Sequence, residues 1–208
     1  MLNPAEHFKQ QMIEARRTQI LEAAATVFAK KGFHKAKITE IASVAGVAEG
    51  TIYNYFDNKR ELLLAMIDLI GIQSLKGIVI DAPPDDPKTL LTMIMRNRYQ
   101  LLQEYGHLMA PIIAEIFTDA DLREAVYRRI VMPFITHLEQ YIQAHINSGE
   151  FRQIDPMIVP RAFIGATVIN FTIKLSGIDP RYDDLSTEAL IEQIVSLFLD
   201  GLLQSNEL

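Results

Sequence analysis

The feature that most constrains this chain is the stretch from Ile38 to Phe56, which predicts two very short helices joined by a turn. Gly46 supplies the turn at little steric cost. The apolar residues of the stretch can pack both helices onto a preceding helix, and they are Ile38, Ile41, Ala42, Ala45, Val47, Ile52 and Phe56. This pattern predicts a helix-turn-helix, a motif that lays its second helix in the major groove of DNA.

The remainder of the chain shows helical periodicity and almost no strand signal, so we expect an all-α fold of about nine helices. Pro83, Pro84 and Pro87 mark a clear break. We expect Gly106 to interrupt the next helix and Pro133 to bend a later one. Residues 1–58 are predicted to form the helix-turn-helix domain, and residues 59–208 a helical ligand-binding and dimerisation domain.

Charge is divided unevenly along the chain, whose net charge is −6. Residues 1–62 carry nine Lys/Arg against seven Asp/Glu, whereas residues 63–208 carry eleven against nineteen. The N-terminal part is therefore the part that tolerates phosphates. There is no cysteine, which suits a reducing cytosol. No secretory signal is recognisable, and the apolar stretch between Arg161 and Lys174 is shorter than a membrane span needs. We expect a cytoplasmic protein that does not bind membranes.

Residues 14–66 resemble the tetracycline-repressor (TetR) family of transcriptional regulators. The resemblance rests on fixed spacings of Ile20-Leu21-Glu22-Ala23-Ala24, Phe28, Gly32-Phe33, Ile41-Ala42, Ala45-Gly46-Val47, Gly50-Thr51-Ile52-Tyr53, Tyr55-Phe56, Asn58-Lys59 and Leu62-Leu63. It implies a regulator, most commonly a repressor, that is not an enzyme and needs no cofactor. It also implies phosphate contacts by Thr51, Tyr55 and Lys59. The residues that it places near base edges are Thr39, Glu49, Gly50, Tyr53 and Asn54.

Two positions depart from the family pattern. Lys37 stands where a helix-capping Ser or Thr is common, although its ammonium could contact a phosphate. Ala48 removes a side-chain cap worth about 1 kcal/mol from the second helix of the motif. That helix carries no Arg or Lys, so bidentate readout of guanine is not available from it. For two of these residues an alternative role stays open. Tyr53 could pack against the first helix instead of contacting DNA. Glu49 could stabilise the N-terminus of its helix without contacting a base.

The last two predicted helices suit dimerisation, because one short recognition helix reads few base pairs and dimers read two half-sites. Small and apolar residues recur on both helices, and in the family two such helices from each chain form a four-helix bundle. The predicted interface residues are Ala162, Gly165, Ile169, Ile194, Phe198, Gly201 and Leu202. The alternative is that both stripes face the core of the chain itself.

The middle helices are expected to enclose an effector pocket, as in the family. Met side chains make an adaptable wall, and Arg98 or Lys174 could meet an anionic group of a lipophilic or fatty-acyl-like ligand. Salt bridges within the chain are the alternative role for these two cations. The predicted pocket residues are Asn97, Arg98, Met109, Ile113, Phe117, Tyr127, Phe134, Asn170 and Lys174.

Two other classes of protein compete with a DNA-binding regulator. A histidine-based enzyme is disfavoured, because His137 and His145 lie two helical turns apart and no metal-binding, phosphate-loop or nucleophile motif accompanies them. No metal site is expected. The other class is an architectural or protein-binding helical module, which would need neither specific DNA nor a pocket.

Overall fold

The computed structural model describes residues 3–71, 75–81 and 83–203, without the side chains of residues 4, 5, 70, 71, 107–112 and 114. Helices dominate the described residues, as the periodicity predicts, and the single β-type contact among them is an isolated bridge between Phe151 and Leu203. The helices are α1 (Pro4–Lys35), α2 (Ile38–Ala45), α3 (Glu49–Tyr53), α4 (Lys59–Gly71), α5 (Pro87–Thr118), α6 (Ala120–Val126), α7 (Met132–Asn147), α8 (Ile158–Ser176) and α9 (Thr187–Leu202). Short π-helical turns occupy Lys76–Asp81 and Tyr127–Val131, and a 3₁₀ turn occupies Pro180–Tyr182.

The chain packs as two compact units. The first comprises Met1–Ile70 and Tyr105–Tyr127, and the second comprises Gly71–Glu104 and Arg128–Leu208. The first unit therefore groups the helix-turn-helix with α4, the end of α5 and α6. The predicted boundary between residues 58 and 59 concerns a division of function and stays a prediction.

The core of the first unit is built on α1. Ile20, Leu21 and Phe28 are fully buried, and α2 packs directly on α1 while α3 packs on α2. Ile41 and Ile52 bring the two short helices of the motif into this core, with at most 1% of either residue exposed. The regular part of α1 ends where the sequence places a helix-ending glycine, because Gly32 has a left-handed φ of 75°.

Side-chain caps start several helices. Asn58 accepts a hydrogen bond from the Glu61 amide at 3.0 Å and begins α4. Asp119 accepts from the Leu122 amide at 2.9 Å and begins α6. By contrast, neither Lys37 before α2 nor Ala48 before α3 makes a side-chain cap bond.

Two predicted interruptions need correction. Helix α5 runs without a break through Gly106, because the cost of a helical glycine is only about 1 kcal/mol and many packed neighbours outweigh it. The long helix predicted to bend at Pro133 is instead divided before it, by the π-helical turn that ends at Val131. Pro133 then sits at the second position of α7, where a missing amide hydrogen breaks no helical bond.

The expectation about membrane-length segments also needs correction. By length and composition, α8 could cross a membrane, with a mean hydropathy of 1.3 over 18 residues, although 28% of that window is buried. The buried residues of α8 include Phe163, Thr167 and Phe171. Phe163 and Phe171 belong to the core of the second unit. Packing in a helical domain therefore accounts for part of the apolar character of α8.

Gly46 gives a direct test of the motif turn. Its φ of 63° is left-handed, so Gly46→Ala should lower the free energy of unfolding by about 1 kcal/mol. Gly50→Ala is the matched control, since Gly50 lies in α3 with a right-handed backbone and open space around a Cβ. The control should be neutral or raise stability by up to about 1 kcal/mol. Urea unfolding followed by circular dichroism measures both, and equal effects of the two changes would contradict the assigned turn.

Candidate DNA interface and effector-binding region

The second helix of the motif presents the residues predicted to meet base edges. Glu49, Gly50, Tyr53 and Asn54 are exposed on α3 or directly after it, with half of Tyr53 accessible to solvent. Ile52 on the opposite side is buried. The exposure of Tyr53 favours a contact surface over the alternative in which it packs against the first helix.

The predicted phosphate contacts divide into two groups. Lys37 is exposed, and Thr51 and Tyr55 are half-buried. Thr39, which is predicted to lie near a base edge instead, is exposed on α2. Lys37 immediately precedes α2, and its main-chain amide donates to Glu40 Oε2 at 3.4 Å.

Lys59 is placed differently. Its ammonium donates to the main-chain oxygens of Phe33, Ala36 and His34 at 2.7, 3.1 and 3.2 Å. The same nitrogen lies 4.6 Å from the centroid of the Phe33 ring. A lysine has three N–H donors, and three carbonyl oxygens occupy them. The predicted phosphate contact would therefore require Lys59 to give up existing bonds.

Ion pairs join the helix-turn-helix to its surroundings within the first unit. Lys31 on α1 pairs with Glu40 on α2 at 2.7 Å, and this hydrogen bond lowers the pKa of Glu40. His34 lies 3.0 Å from Glu115 of α5, and Arg60 of α4 lies 3.1 Å from Asp119. The Leu122 amide, and then Arg60, lower the pKa of the Asp119 carboxyl. These pairs hold α1 and α4 against the corner between α5 and α6.

Two of the predicted pocket residues have structural roles in the second unit. The Lys174 ammonium donates to the main-chain oxygens of Leu185 and Tyr182, at 2.6 and 3.1 Å. Asn170 donates to Ala166 O and accepts from the Tyr182 hydroxyl at 2.6 Å. Both side chains therefore fasten the α8–α9 connection. Their role as ligand anchors stays a prediction, and the bonds of Lys174 in this structure are to main-chain carbonyl oxygens.

Arg98 is a half-buried cation on α5. Its guanidinium donates to the neutral side-chain oxygen of Asn97 from Nε, at 3.1 Å, and from Nη2. Burial lowers the pKa of Arg98 to about 10, so the charge is held in a poorly hydrated place. Arg96, two residues earlier, is exposed and pairs with Glu188 at 2.6 Å. The two arginines of one helix thus differ sharply in environment.

The remaining pocket predictions do not converge on one described cavity. Phe134 is buried in the core of the second unit. Ile113, Phe117 and Tyr127 belong to the first unit and are 42%, 73% and 43% exposed. Met109 lies outside the described side chains. The predicted lining therefore mixes core residues with surface residues.

An apolar cavity of about 30 Å³ lies within the second unit. It is bounded by the start of α5 and by α7, α8 and α9, and its lining is Pro87, Leu90, Leu91, Leu138, Tyr141, Ile142, Phe151, Val159, Pro160, Phe163, Phe198 and Leu202. The Tyr141 hydroxyl points away to Pro84 O and Asp85 O, each 3.1 Å distant. The nine predicted pocket residues are absent from this lining. A cavity of this size holds a methyl group or one water molecule.

The predicted dimer residues divide by face. Ala162, Gly165, Ile169 and Gly201 are exposed, whereas Ile194 and Leu202 are buried in their own chain and Phe198 is half-buried. Both helices therefore have a core face and an outer face. Leu197, 71% exposed, and Ile158, 50% exposed, extend the outer face, and sequence analysis did not single out either one for it.

The histidines make local contacts. His137 Nδ1 lies 2.7 Å from Pro133 O, and His145 Nδ1 lies 2.6 Å from Glu150 Oε2. His107 lies outside the described side chains. Among the described residues, no group of three His, Cys, Asp or Glu is placed to hold a metal ion.

The sequence alone did not point to Gln19 and Arg17, which both make contacts with the motif. The Gln19 amide donates to Ala45 O at the end of α2, at 2.8 Å, and the Arg17 guanidinium lies 5.4 Å from the Phe56 ring centroid. Both residues lie on α1, 26 and 39 positions before their partners. Only the polar character of positions 17 and 19 beside a buried Ile20 could have pointed to them.

An all-helical chain with an N-terminal helix-turn-helix, an exposed second motif helix and a separate helical unit has the architecture of a DNA-binding transcriptional regulator. Family models support this class in both parts of the chain. Residues 20–66 match the bacterial regulatory proteins of the tetR family, and residues 90–201 match the C-terminal domain of AefR-like transcriptional repressors. The chain belongs to the tetR family. The predicted family and all-α fold are confirmed, and the histidine-based enzyme is excluded because these proteins are transcriptional regulators.

Relatives of similar length match nearly the whole chain. The fatty acid metabolism regulator protein of Bacillus subtilis is 26% identical over 191 residues, covering 88% of this chain and 94% of its own length. The repressor KstR2 of Rhodococcus jostii is 25% identical, with coverages of 90% and 91%. A crystal structure of FadR from Bacillus subtilis in complex with stearoyl-CoA has the same fold, with a TM-score of 0.71, 24% identity and coverages of 88% and 98%.

Lys37 allows a test of the proposed phosphate surface. Lys37→Ala should weaken binding to all duplexes, because the contact carries no sequence information. The slope of log K against log salt should fall in magnitude by about one. Lys88→Ala, an exposed lysine at the start of α5, is the control and should leave the slope unchanged. Fluorescence anisotropy of a labelled duplex between 50 and 200 mM salt is suitable, and identical slopes for both variants would refute the contact.

Proposed function

We propose that this protein is a cytoplasmic repressor that binds a palindromic operator as a homodimer and is released by a lipophilic, acyl-type effector. DNA binding is supported above all by the exposed face of α3, whose opposite face is buried in the helix-turn-helix core. The match of the C-terminal residues to AefR-like transcriptional repressors supports repression over activation. With no basic residue on α3, each half-site supplies modest base discrimination, so two half-sites are needed.

The homodimer is supported by the outer face of α8 and α9. Ile158, Ala162, Gly165 and Ile169 follow helical spacing on α8, and Leu197 and Gly201 do so on α9. All six are exposed in the single chain. Small residues at 162, 165 and 201 allow two helices to approach closely, and large apolar residues beside them give the contact its hydrophobic energy.

A dimer on this face makes a clear prediction. Ile169→Glu and Leu197→Glu should each convert the dimer to a monomer, because a carboxylate would be buried against its symmetry copy. Operator affinity should fall at least a hundredfold. Met12→Glu is the control, since Met12 is 53% exposed on α1, close to the 57% of Ile169. Sedimentation velocity gives the oligomeric state, and dimers of unchanged stability in both variants would show that the subunits pair elsewhere.

The acyl-type effector is supported by three findings. The second unit contains a wholly apolar cavity. Arg98 supplies a buried cation for an anionic head group. The relative from Bacillus subtilis is a fatty acid metabolism regulator, and a structure of the same fold holds stearoyl-CoA. A cavity of about 30 Å³ is far too small for an octadecyl chain, so an effector of that class must separate the surrounding helices. Such an effector would bind the conformation with separated helices more tightly than the one with packed helices. A ligand can release the protein from DNA only if its affinities for two conformations differ in this way.

Stearoyl-CoA is the probe for this proposal. It should raise the melting temperature and weaken operator binding at least tenfold, whereas coenzyme A alone should do neither. The chain has no tryptophan, so labelled DNA is the appropriate reporter. A rise in melting temperature without any change in DNA affinity would contradict the coupling between effector and operator.

Arg98 and Arg96 give a matched pair for the head group. Arg98→Gln should weaken stearoyl-CoA binding at least tenfold, equal to about 1.4 kcal/mol, because the buried guanidinium is removed. Arg96→Gln loses only an exposed ion pair with Glu188 and should change the affinity less than twofold. Isothermal titration calorimetry compares the two. Equal losses, or no loss in either variant, would remove Arg98 from the effector site.

A further inference from the structure

Neither short helix of the motif is capped by the side chain of the residue before it, although the Lys37 amide donates to Glu40 Oε2 at 3.4 Å at the start of α2. Helix α2 has eight residues and α3 has five, and helices of this length are unstable alone in water. An ammonium has no acceptor atom, so Lys37 cannot cap α2, and Ala48 cannot cap α3. The orientation of α3 therefore has to come from the core and from side chains outside the motif.

The N-terminal side of α2 is held by α4. The segment from Phe33 to Lys37 follows the left-handed Gly32 and comprises the last residues of α1 and the two residues between α1 and α2. Three of its carbonyl oxygens, those of Phe33, His34 and Ala36, converge on the Lys59 ammonium within 3.2 Å. Carbonyl groups at the end of a helix favour a cation, which explains why a lysine is suited to this place.

The C-terminal side of α2 is held by α1. The Gln19 side chain donates to Ala45 O, a carbonyl at the last turn of α2 that lacks a helical partner. Gln19 of α1 therefore bonds to the C-terminal end of α2, and Lys59 of α4 bonds to the segment that leads into its N-terminal end.

We propose that Lys59 is a positioning residue for α2 and α3 and does not contact a DNA phosphate. Its three carbonyl bonds set the path of residues 33–37, which sets the angle at which α2 presents α3 to the major groove. Gln19 does the same at the other end of α2. The proposal rests on DNA binding by the motif and is independent of the proposed effector.

Lys59→Arg separates the two roles of position 59. Arginine keeps the charge and binds phosphate well, but its planar fork cannot direct three donors at three carbonyls converging on one point. With a duplex selected from random DNA by the wild-type protein, a positioning role predicts a loss of operator affinity of at least tenfold. Affinity for random DNA should change less than threefold. A phosphate contact predicts that operator and random affinities are both retained in Lys59→Arg, and that result overturns the proposal.

Lys59→Met and Gln19→Ala complete the test on the full chain. Lys59→Met should lose specificity as Lys59→Arg does, with a salt slope within about 0.3 of the wild-type value. A slope lower by about one, with equal loss for both duplexes, would overturn the proposal. Gln19→Ala removes no charge and should reproduce the loss of specificity.

Hydrogen exchange supplies a readout that separates a change in orientation from global unfolding. In the Lys59 variants, the amides of Ile41 and Ala42 should exchange faster, while those of Ile191 and Ile194 in α9 keep wild-type rates. If Lys59→Met fails to fold, the specificity of Lys59→Arg decides the matter. If the wild-type protein itself prefers no duplex, the DNA-binding function fails, and that failure is distinct from a wrong role for Lys59.

Discussion

The first unit depends on the burial of α2 against α1 and of α3 against α2. Each of the two motif helices forms too few internal hydrogen bonds to persist alone, so Ile41 and Ile52 must be buried, as Ile20 and Phe28 of α1 are. That packing leaves Glu49, Tyr53 and Asn54 exposed on the other side of α3. The surface that reads DNA is therefore a by-product of the same burial that makes the motif stable.

Some lysines around the motif bond to groups within the chain, and others face the solvent. Lys31 and Lys59 are engaged with Glu40 and with main-chain carbonyls, respectively. Lys37 is exposed next to the N-terminus of α2. Counting lysines near a helix-turn-helix thus overstates the charge that is free to neutralise phosphates. The number of lysines that neutralise phosphates sets the salt dependence of DNA binding, so the distinction has a measurable consequence.

Sequence periodicity predicted the core of the motif well. Five of its seven apolar residues are buried, and the starts at Asn58 and Asp119 carry the expected caps. Such features are local, since a residue type and its helical spacing decide them. The roles of Lys59, Lys174 and Asn170 could not be predicted, because their partners are main-chain or hydroxyl oxygens whose positions depend on tertiary structure. The pocket residues stay a prediction, and helical spacing alone does not distinguish Phe134 in the core from Phe117 at the surface.

Helices α8 and α9 each have a core face and an outer face, and this arrangement bears on how the proposed effector would act. Val159, Pro160 and Phe163 line the apolar cavity, as do Phe198 and Leu202. On the opposite sides, Ala162, Gly165, Leu197 and Gly201 belong to the proposed dimer face. Protein interiors are close-packed, so a ligand that enlarges the cavity has to displace these helices instead of compressing them. The displacement would act directly on the contact between two subunits and, through it, on the spacing of two recognition helices. Effector binding and subunit pairing would then be coupled by rigid helices alone, since one face of these helices lines the cavity and the other would contact the partner subunit.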